Sequence, residues 1–196
     1  MNEAATTETD EELVRRSAGG DRTAFERLVG RHADALYRFA LRTCGGEREA
    51  EDALQDGLLA AWRGAATFRA ESAARTWLFQ VVIHACRRRH RRRAGEPERM
   101  EDMEAAASVH HDGPAPDGQV AAREVGAAME AALEAMSSEA REILILRDVE
   151  GIEGAEAASA LGITVAAMKS RLHRARLELK QLVEARLGHG VIEVVT

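Results

Sequence analysis

Two clusters of basic side chains are the groups in this sequence best suited to bind a polyanion. The first basic cluster comprises Arg87, Arg88, Arg89, Arg91, Arg92 and Arg93. The second basic cluster comprises Lys169, Arg171, Arg174, Arg176 and Lys180. Guanidinium and ammonium groups neutralise phosphates, so each cluster could hold one stretch of a nucleic-acid backbone. Because an acidic segment separates the clusters, we expect two separate contacts with one polyanion.

The second basic cluster lies in a segment, residues 155–182, whose spacing is typical of a helix-turn-helix. Ala158 permits close helix approach, Gly162 makes the turn, and Met168 packs beneath the second helix. Thr164 is placed to cap that helix. The predicted buried stripe is Val165, Met168, Leu172, Ala175 and Leu179. The predicted exposed face, which fits the major groove of DNA, is Lys169, Ser170, Arg171, His173, Arg174 and Arg176.

Both basic clusters also have simpler interpretations. The exposed side of the last helix could be an ordinary solvated surface. Such surfaces usually mix charges, whereas this one has few acids before Glu178, so groove binding is favoured. The arginine run could equally be a localisation signal or a nonspecific RNA-binding patch. Its arginines cannot all lie on one helical face, so we expect some to contact phosphate and others to stay in water.

The first basic cluster ends a predicted helical block over residues 10–93. Apolar and aromatic side chains at three- and four-residue steps predict an amphipathic helix that ends at Cys44 and the two following glycines. The next helix has small and apolar residues on one face and the polar Asp52, Gln55 and Asp56 on another. A polar loop, Phe68–Arg75, leads to a third helix that starts near Thr76.

Composition predicts an all-α fold of two small helical domains joined by a flexible acidic linker, the C-terminal one a helix-turn-helix. Leu, Ala, Arg and Glu dominate, aromatic residues make up 4%, and only three prolines occur. The net charge of −6 includes a strongly acidic N-terminus, 1–9, predicted to be disordered, and an acidic linker, 94–121. The second domain is predicted over 122–187, and a tail with a strand-like pattern follows over 188–196.

Several other classes of protein find no support in the sequence. Since no stretch nears the roughly 18 apolar residues of a membrane span, and no leader opens the chain, we expect a cytoplasmic protein without membrane insertion. Without a phosphate loop or a nucleophile-base pair, neither an enzyme nor a cofactor is expected. Only Cys86 and His90 have helical spacing for one metal ion, and two ligands do not make a structural site, so no metal is expected. Cys44 and Cys86 are expected to be buried, unpaired thiols; a redox-switched disulfide between them is the less favoured alternative.

Four segments, taken in order, resemble the extracytoplasmic-function sigma factors, the smallest group of the sigma-70 family. Residues 24–42 resemble the first conserved helix of that family. Residues 50–64 resemble the segment that docks on the clamp helices of core RNA polymerase. Residues 68–89 resemble the segment that recognises and melts the −10 promoter element. Residues 146–176 look like the domain that reads the −35 element.

The resemblance implies roles for individual residues. The implied polymerase contacts are Asp52, Gln55, Asp56, Leu59 and Trp62. The implied contacts to the −10 element are Phe68, Arg69, Arg75, Trp77, Gln80, His84, Arg87 and Arg88. The implied contacts to the −35 element are Thr164, Lys169, Ser170, Arg171, His173, Arg174 and Arg176. For Phe68 two interpretations stay open, stacking on a flipped base and filling the core.

The function that the resemblance implies is that of an RNA polymerase subunit. It would direct core polymerase to specific promoters, help to open the −10 region, contact the clamp helices and flap, and be masked by an anti-sigma factor. The alternative is a stand-alone helix-turn-helix regulator with an N-terminal dimerisation domain. A clamp-like helix at Ala50–Gly64 and the additional basic cluster argue against it, because a simple repressor requires neither.

Overall fold

The structure, a computed structural model, describes residues 8–69, 72–95 and 118–187, which form two groups of helices. The first group contains α1 (Asp10–Ala18), α2 (Arg22–Thr43), α3 (Glu47–Gly64), a 3-10 turn (Ala65–Thr67) and α4 (Ala74–Gly95). The second contains α5 (Gly118–Ala135), α6 (Ser138–Leu144), a π-helical turn (Ile145–Val149), α7 (Gly154–Leu161) and α8 (Val165–Leu187). These described ranges contain no strand, which confirms the all-α prediction. The strand-like tail predicted at 188–196 lies outside them, as does most of the predicted linker.

Polar side chains cap the N-termini of α1, α2 and α6. Thr9, Asp21 and Ser137 each accept a hydrogen bond from the backbone amide three residues ahead, at 3.2, 3.0 and 3.3 Å. Such a cap satisfies an amide that the helix itself cannot pair, and it is typically worth about 1 kcal/mol. Glu8 and Thr9, which were assigned to the acidic N-terminus, belong to the first helical group: Glu8 binds Arg16 and Arg27 at 2.6 and 2.8 Å.

The core of the first group lies between α2, α3 and α4. Phe39 of α2 meets Phe79 of α4 edge to face, with ring centroids 5.4 Å apart, and both side chains are fully buried. Gly57 lets α3 approach the α4 backbone closely, since a Cβ at this position would lie 3.4 Å from the Cα atom of Val82. The close approach fixes α4 against α3, and it thereby sets which of the α4 side chains face outward.

The second group contains the expected helix-turn-helix. Gly162 ends α7 with φ 69° and ψ 36°, the left-handed conformation that favours glycine. Thr164 caps α8 by accepting a hydrogen bond from the amide of Ala167 at 3.1 Å. Met168 is buried beneath α8 as predicted, and it packs closely on Gly154, where a Cβ would lie 3.0 Å from the Met168 Cε atom.

For one residue of α8, Val165, the prediction of burial is wrong. Met168, Leu172 and Ala175 are buried and Leu179 is half-buried, but Val165 is 42% exposed. Val165 is the first residue of the helix, so the packed face begins one turn later than its apolar spacing indicated.

The two helical groups pack against each other. Helix α4 contacts α7, and α2 contacts α6. The buried apolar side chains form one continuous cluster, which runs from Phe79 of the first group to Ile143 and Leu161 of the second. The two helical groups therefore share an apolar contact within the described residues.

Candidate nucleic-acid and protein interfaces

Helix α8 presents its polar side chains on the face opposite the core. Lys169, Ser170, Arg171, His173, Arg174 and Arg176 are all exposed. The exposed face begins at the capped N-terminus of the helix, where Thr164 is also exposed but has its hydroxyl bound to the Ala167 amide. Helix α8 packs on α5, α6 and α7, and its exposed face carries cationic side chains that match a DNA groove in charge.

Arg176 already has a partner within its own domain. Its guanidinium donates two hydrogen bonds to the carboxylate of Asp148, at 2.9 and 2.5 Å. This ion pair raises the pKa of Arg176 further above its ordinary value, so the group carries a full charge at any physiological pH. Asp148 comes from the π-helical turn, and sequence reasoning assigned it no role.

The acidic face of α3 is neutralised in part by the arginine run of α4. Arg89 forms ion pairs with Asp52 and with Asp56, the second at 3.4 Å. Both carboxylate side chains stay 44% exposed. Gln55 is exposed beside them, and Leu59 places an apolar side chain on the same surface with 45% exposure. Carboxylates next to an exposed leucine suit a protein interface better than a nucleic-acid one.

A shallow depression adjoins this acidic face. Its lining residues are Asp56, Leu59, Ala60, Arg63, Arg88 and Arg92. Trp62, the remaining predicted polymerase contact, is half-buried and meets Phe25 edge to face at 5.3 Å. Its ring therefore supports the packing of α3 on α2, and only part of it is available to a partner.

Two of the arginines predicted to contact the −10 element are bound by the second domain. Arg75 donates to the backbone oxygen of Glu150 at 2.8 Å and to its carboxylate at 2.5 Å. Arg87 donates to the carboxylate of Glu142, with its Nη2 atom 2.6 Å from Oε2. Burial raises the pKa of Glu142, although the charge of Arg87 opposes this effect.

The aromatic residues predicted for the −10 contact lie against each other. The rings of Phe68 and Trp77 are 5.3 Å apart at an interplanar angle of 49°. Both are half-buried against the core. This contact favours the core-filling interpretation of Phe68, while both side chains stay partly exposed.

The other residues predicted for the −10 contact lie along the outer side of α4 or just before it. Gln80 is half-buried, whereas Arg69, His84 and Arg88 are exposed. Partial desolvation and the charges of Arg87, Arg88 and Arg91 lower the pKa of His84. The imidazole is thus neutral at physiological pH, and it can donate or accept a hydrogen bond without adding charge.

Cys44 and Cys86 correct another prediction. Both are buried as expected, but they form a disulfide with Cα atoms 5.1 Å apart, so the expectation of unpaired thiols is wrong. The C-cap of α2 thus lies directly on α4, a proximity that no local pattern reveals. The hydroxyl of Thr43 lies 3.8 Å from the Cys86 sulfur.

Within residues 8–69, 72–95 and 118–187, no three His, Cys, Asp or Glu side chains group together as a metal site would require. No helix in these ranges combines the length and apolar character that crossing a bilayer demands.

Family models match both helical groups. The model described as Sigma-70 region 2 matches residues 28–96, and the model described as Sigma-70, region 4 matches residues 126–179. The chain is also 34% identical over 183 residues to the RNA polymerase sigma factor CnrH of Cupriavidus metallidurans, covering 91% of this chain and 96% of that protein. The chain belongs to the sigma-70 family. It is an RNA polymerase sigma factor of the extracytoplasmic-function (ECF) type.

Other relatives agree with this assignment. This sigma factor is 35% identical over 176 residues to the ECF RNA polymerase sigma factor SigM of Mycobacterium tuberculosis, covering 89% of this chain and 85% of that protein. Its fold is similar to that of CnrH in a complex with the cytosolic domain of CnrY, with a TM-score of 0.65, 29% identity and coverage of 90% of this chain and 97% of that one. It is also similar to the sigma factor RpoE of Bartonella quintana in a complex with the anti-sigma factor NepR, with a TM-score of 0.68, 27% identity and coverage of 82% and 96%. The stand-alone regulator is not favoured by these matches.

The two matched regions divide the sigma factor between its helical groups. Region 2 covers most of α2 and all of α3 and α4, and region 4 covers part of α5, all of α6 and α7, and most of α8. Arg89, which the sequence analysis placed in the first basic cluster, binds the predicted site residues Asp52 and Asp56. Sequence reasoning missed three acids that bind predicted site residues: Glu142, Asp148 and Glu150. No local signal marks these acids, because they gain their partners through folding.

Proposed function

We propose that this sigma factor uses three separate surfaces. The acidic face of α3, with Asp52, Gln55, Asp56 and Leu59, binds core RNA polymerase. The segment before α4 and the outer side of that helix bind the −10 element, and the exposed face of α8 binds the −35 element. The chain performs no catalysis of its own, and it acts in the cytoplasm, where bacterial transcription takes place.

The observation that carries this proposal is the segregation of charge between the helices. Helix α8 exposes six polar side chains in an almost uninterrupted basic row, whereas α3 exposes carboxylates beside Leu59. A basic helix after a tight turn suits the phosphate-lined major groove, and the mixed acidic and apolar face suits a protein.

An inhibitory partner is also proposed. Two structures similar to this chain contain a sigma factor bound to another protein, the cytosolic domain of CnrY in one and the anti-sigma factor NepR in the other. By analogy, an anti-sigma factor binds this chain and masks its domains. A pull-down from the native host that recovers polymerase but no inhibitor would contradict this part of the proposal.

Run-off transcription tests the central proposal. Core polymerase with and without this chain is supplied with a library of genomic fragments, and the start sites are mapped. We expect start sites that depend on the added chain and share two sequence elements upstream. Initiation no better than that of core polymerase alone would refute the assignment of the three surfaces.

A further inference from the structure

Three arginines line the depression beside the acidic face of α3. This depression, named here the arginine groove, has a volume of about 250 Å³ and is lined by Asp56, Leu59, Ala60, Arg63, Arg88 and Arg92. One wall comes from α3, where the four lining residues follow the spacing of a single helical face. The other wall comes from α4, where Arg88 and Arg92 are about one turn apart. The groove therefore depends on the packing of these two helices, which approach each other closely at Gly57.

The arginines of the groove have no anionic partner in the described part of the chain. Within residues 8–69, 72–95 and 118–187, Arg63, Arg88 and Arg92 form no ion pair, and all three are exposed. Their neighbours on α4 differ, because Arg87 binds Glu142 and Arg89 binds carboxylates of α3. Like charges one turn apart on a helix repel each other, so the spacing of Arg88 and Arg92 destabilises α4 unless an anion lies between them.

The single acid among the described lining residues does not cancel this positive charge. Asp56 lines the groove, but its carboxylate is also paired with Arg89, whose Nη1 atom lies 3.4 Å from Oδ2. Its negative charge is thus shared with an arginine outside the groove. Three guanidinium groups and one shared carboxylate leave a net positive charge, which favours an anion that carries more than one negative charge.

Guanidinium groups are well suited to phosphoryl oxygens. The planar fork of an arginine presents paired N–H donors that match two oxygens of one phosphate. A diphosphate group carries oxygens on two adjacent phosphorus atoms, so it can bind more than one arginine of the groove at once. None of the described lining residues is aromatic, so a nucleobase would find no ring on which to stack. The groove is therefore suited to the phosphate end of a ligand rather than to a base.

We propose that the arginine groove is a binding site for a diphosphate group, carried by inorganic pyrophosphate or by the phosphate end of a nucleotide. Arg63, Arg88 and Arg92 bind its oxygens. This inference goes beyond the proposed function and does not depend on it, because the site is defined without reference to polymerase or promoter. A bound diphosphate would lie beside Asp56 and Leu59, at the border of the face proposed to bind polymerase.

Isothermal titration calorimetry of the full chain with inorganic pyrophosphate, at constant ionic strength, tests the site. The groove variant Arg63→Gln with Arg92→Gln removes two of the three guanidinium groups and keeps Arg88, which is also a proposed −10 contact. The control variant Arg48→Gln with Arg91→Gln removes one exposed arginine from each of the same two helices, outside the groove. We expect the affinity to fall about tenfold or more in the groove variant, because charge-assisted hydrogen bonds are lost, and to change by less than about twofold in the control.

Related anions identify the ligand class. Orthophosphate should bind about tenfold more weakly than pyrophosphate, because it offers a single phosphoryl group. Adenosine diphosphate and guanosine diphosphate should compete with pyrophosphate equally well if the natural ligand is a nucleotide, and binding of pyrophosphate alone would assign the inorganic ion. Equal affinities for orthophosphate and pyrophosphate would overturn the inference. So would a single-stranded oligonucleotide that binds in the groove more tightly than pyrophosphate, because the arginines would then contact a nucleic-acid backbone.

A measurement on the native chain applies if the groove variant does not fold. Phenylglyoxal modifies accessible guanidinium groups, and mass spectrometry locates the modified arginines. Saturating pyrophosphate should slow the modification of Arg63 and Arg92 about fivefold or more, because the bound chain is protected there, and should leave Arg48 and Arg91 unchanged. Equal slowing at all four arginines would show a general ionic effect, and no slowing would show that the groove stays empty. Either result would overturn the inference.

Discussion

Arg176 of α8 forms a two-point ion pair with Asp148, which lies in the π-helical turn ahead of the helix-turn-helix. We expect Asp148→Asn to release this guanidinium and to strengthen binding to any duplex. The slope of log affinity against log salt should steepen by up to about 0.9, the contribution of one more neutralised phosphate. Fluorescence anisotropy at several salt concentrations measures this slope. The control Glu178→Gln removes a negative charge from α8 but releases no arginine. Equal salt slopes in the two variants would contradict the prediction.

Arg171 and Arg174 are exposed on α8, and within the described residues neither forms an ion pair. Replacing either by Ala should cost about 1–3 kcal/mol of binding free energy on the −35 element if that residue reads a base. In that case, the same substitution should lower the affinity for a mutated −35 element much less than the affinity for the native one. An equal loss on every sequence would identify a phosphate contact instead. Lys180→Ala serves as the control, because Lys180 lies farther along α8 and is paired with Glu184 at 3.7 Å.

Reversing charge on the acidic face of α3 should separate the chain from polymerase. We expect Asp52→Arg with Asp56→Arg to abolish co-purification with core polymerase, because the charge of this face is reversed. The new arginines would also repel Arg89, which binds both carboxylates in the native chain. Glu51→Arg introduces a similar charge at an exposed α3 position outside this set and should co-purify normally. Circular dichroism confirms that the variants are folded. Normal co-purification of the folded double variant would exclude this face as the polymerase interface.

The attachment of α1 to α2 should weaken in acid. Partial burial raises the pKa of Asp10, but hydrogen bonds from Arg31 and His32 outweigh it and hold this pKa below its usual value. A carboxyl with a lowered pKa stabilises the fold above its unfolded pKa, near 3.8, and this contribution disappears as the pH falls through the lower folded value. We expect Asp10→Asn to cost about 0.5–1 kcal/mol at neutral pH, allowing for solvent screening. Urea unfolding measures the free energy of unfolding of Asp10→Asn and of the native chain as the pH is lowered. A difference between the two free energies that persists below both pKa values would contradict this explanation.

The disulfide between Cys44 and Cys86 should stabilise region 2 under oxidising conditions. It closes a loop with a sequence separation of 42, and bonds of this kind typically contribute about 2–4 kcal/mol. We therefore expect a reductant to lower the free energy of unfolding of the native chain and to leave Cys44→Ala unaffected. Thiol titration of the unfolded protein before and after reduction counts the reactive thiols directly. Two reactive thiols without reductant would show that the bond is absent in solution.

Local patterns in the sequence predicted the helices and much of their interior faces. The turn at Gly162, the cap at Thr164 and the buried Met168 were predictable because each depends on backbone conformation or spacing within a few residues. The family could be inferred in the same way, since its motifs follow one another in order along the chain. The roles of individual residues in binding promoter and polymerase remain predictions.

Contacts between distant segments could not be predicted in this way. The pairing of Cys44 with Cys86, and the binding of Arg87 and Arg75 by Glu142 and Glu150, join residues far apart in sequence. An isolated glutamate has the same appearance in a sequence whether it is solvated or buried against an arginine. Only the packing of α4 on α7 and of α2 on α6 brings these charges together, because low solvent access and a fixed distance between helices arise from the tertiary fold alone.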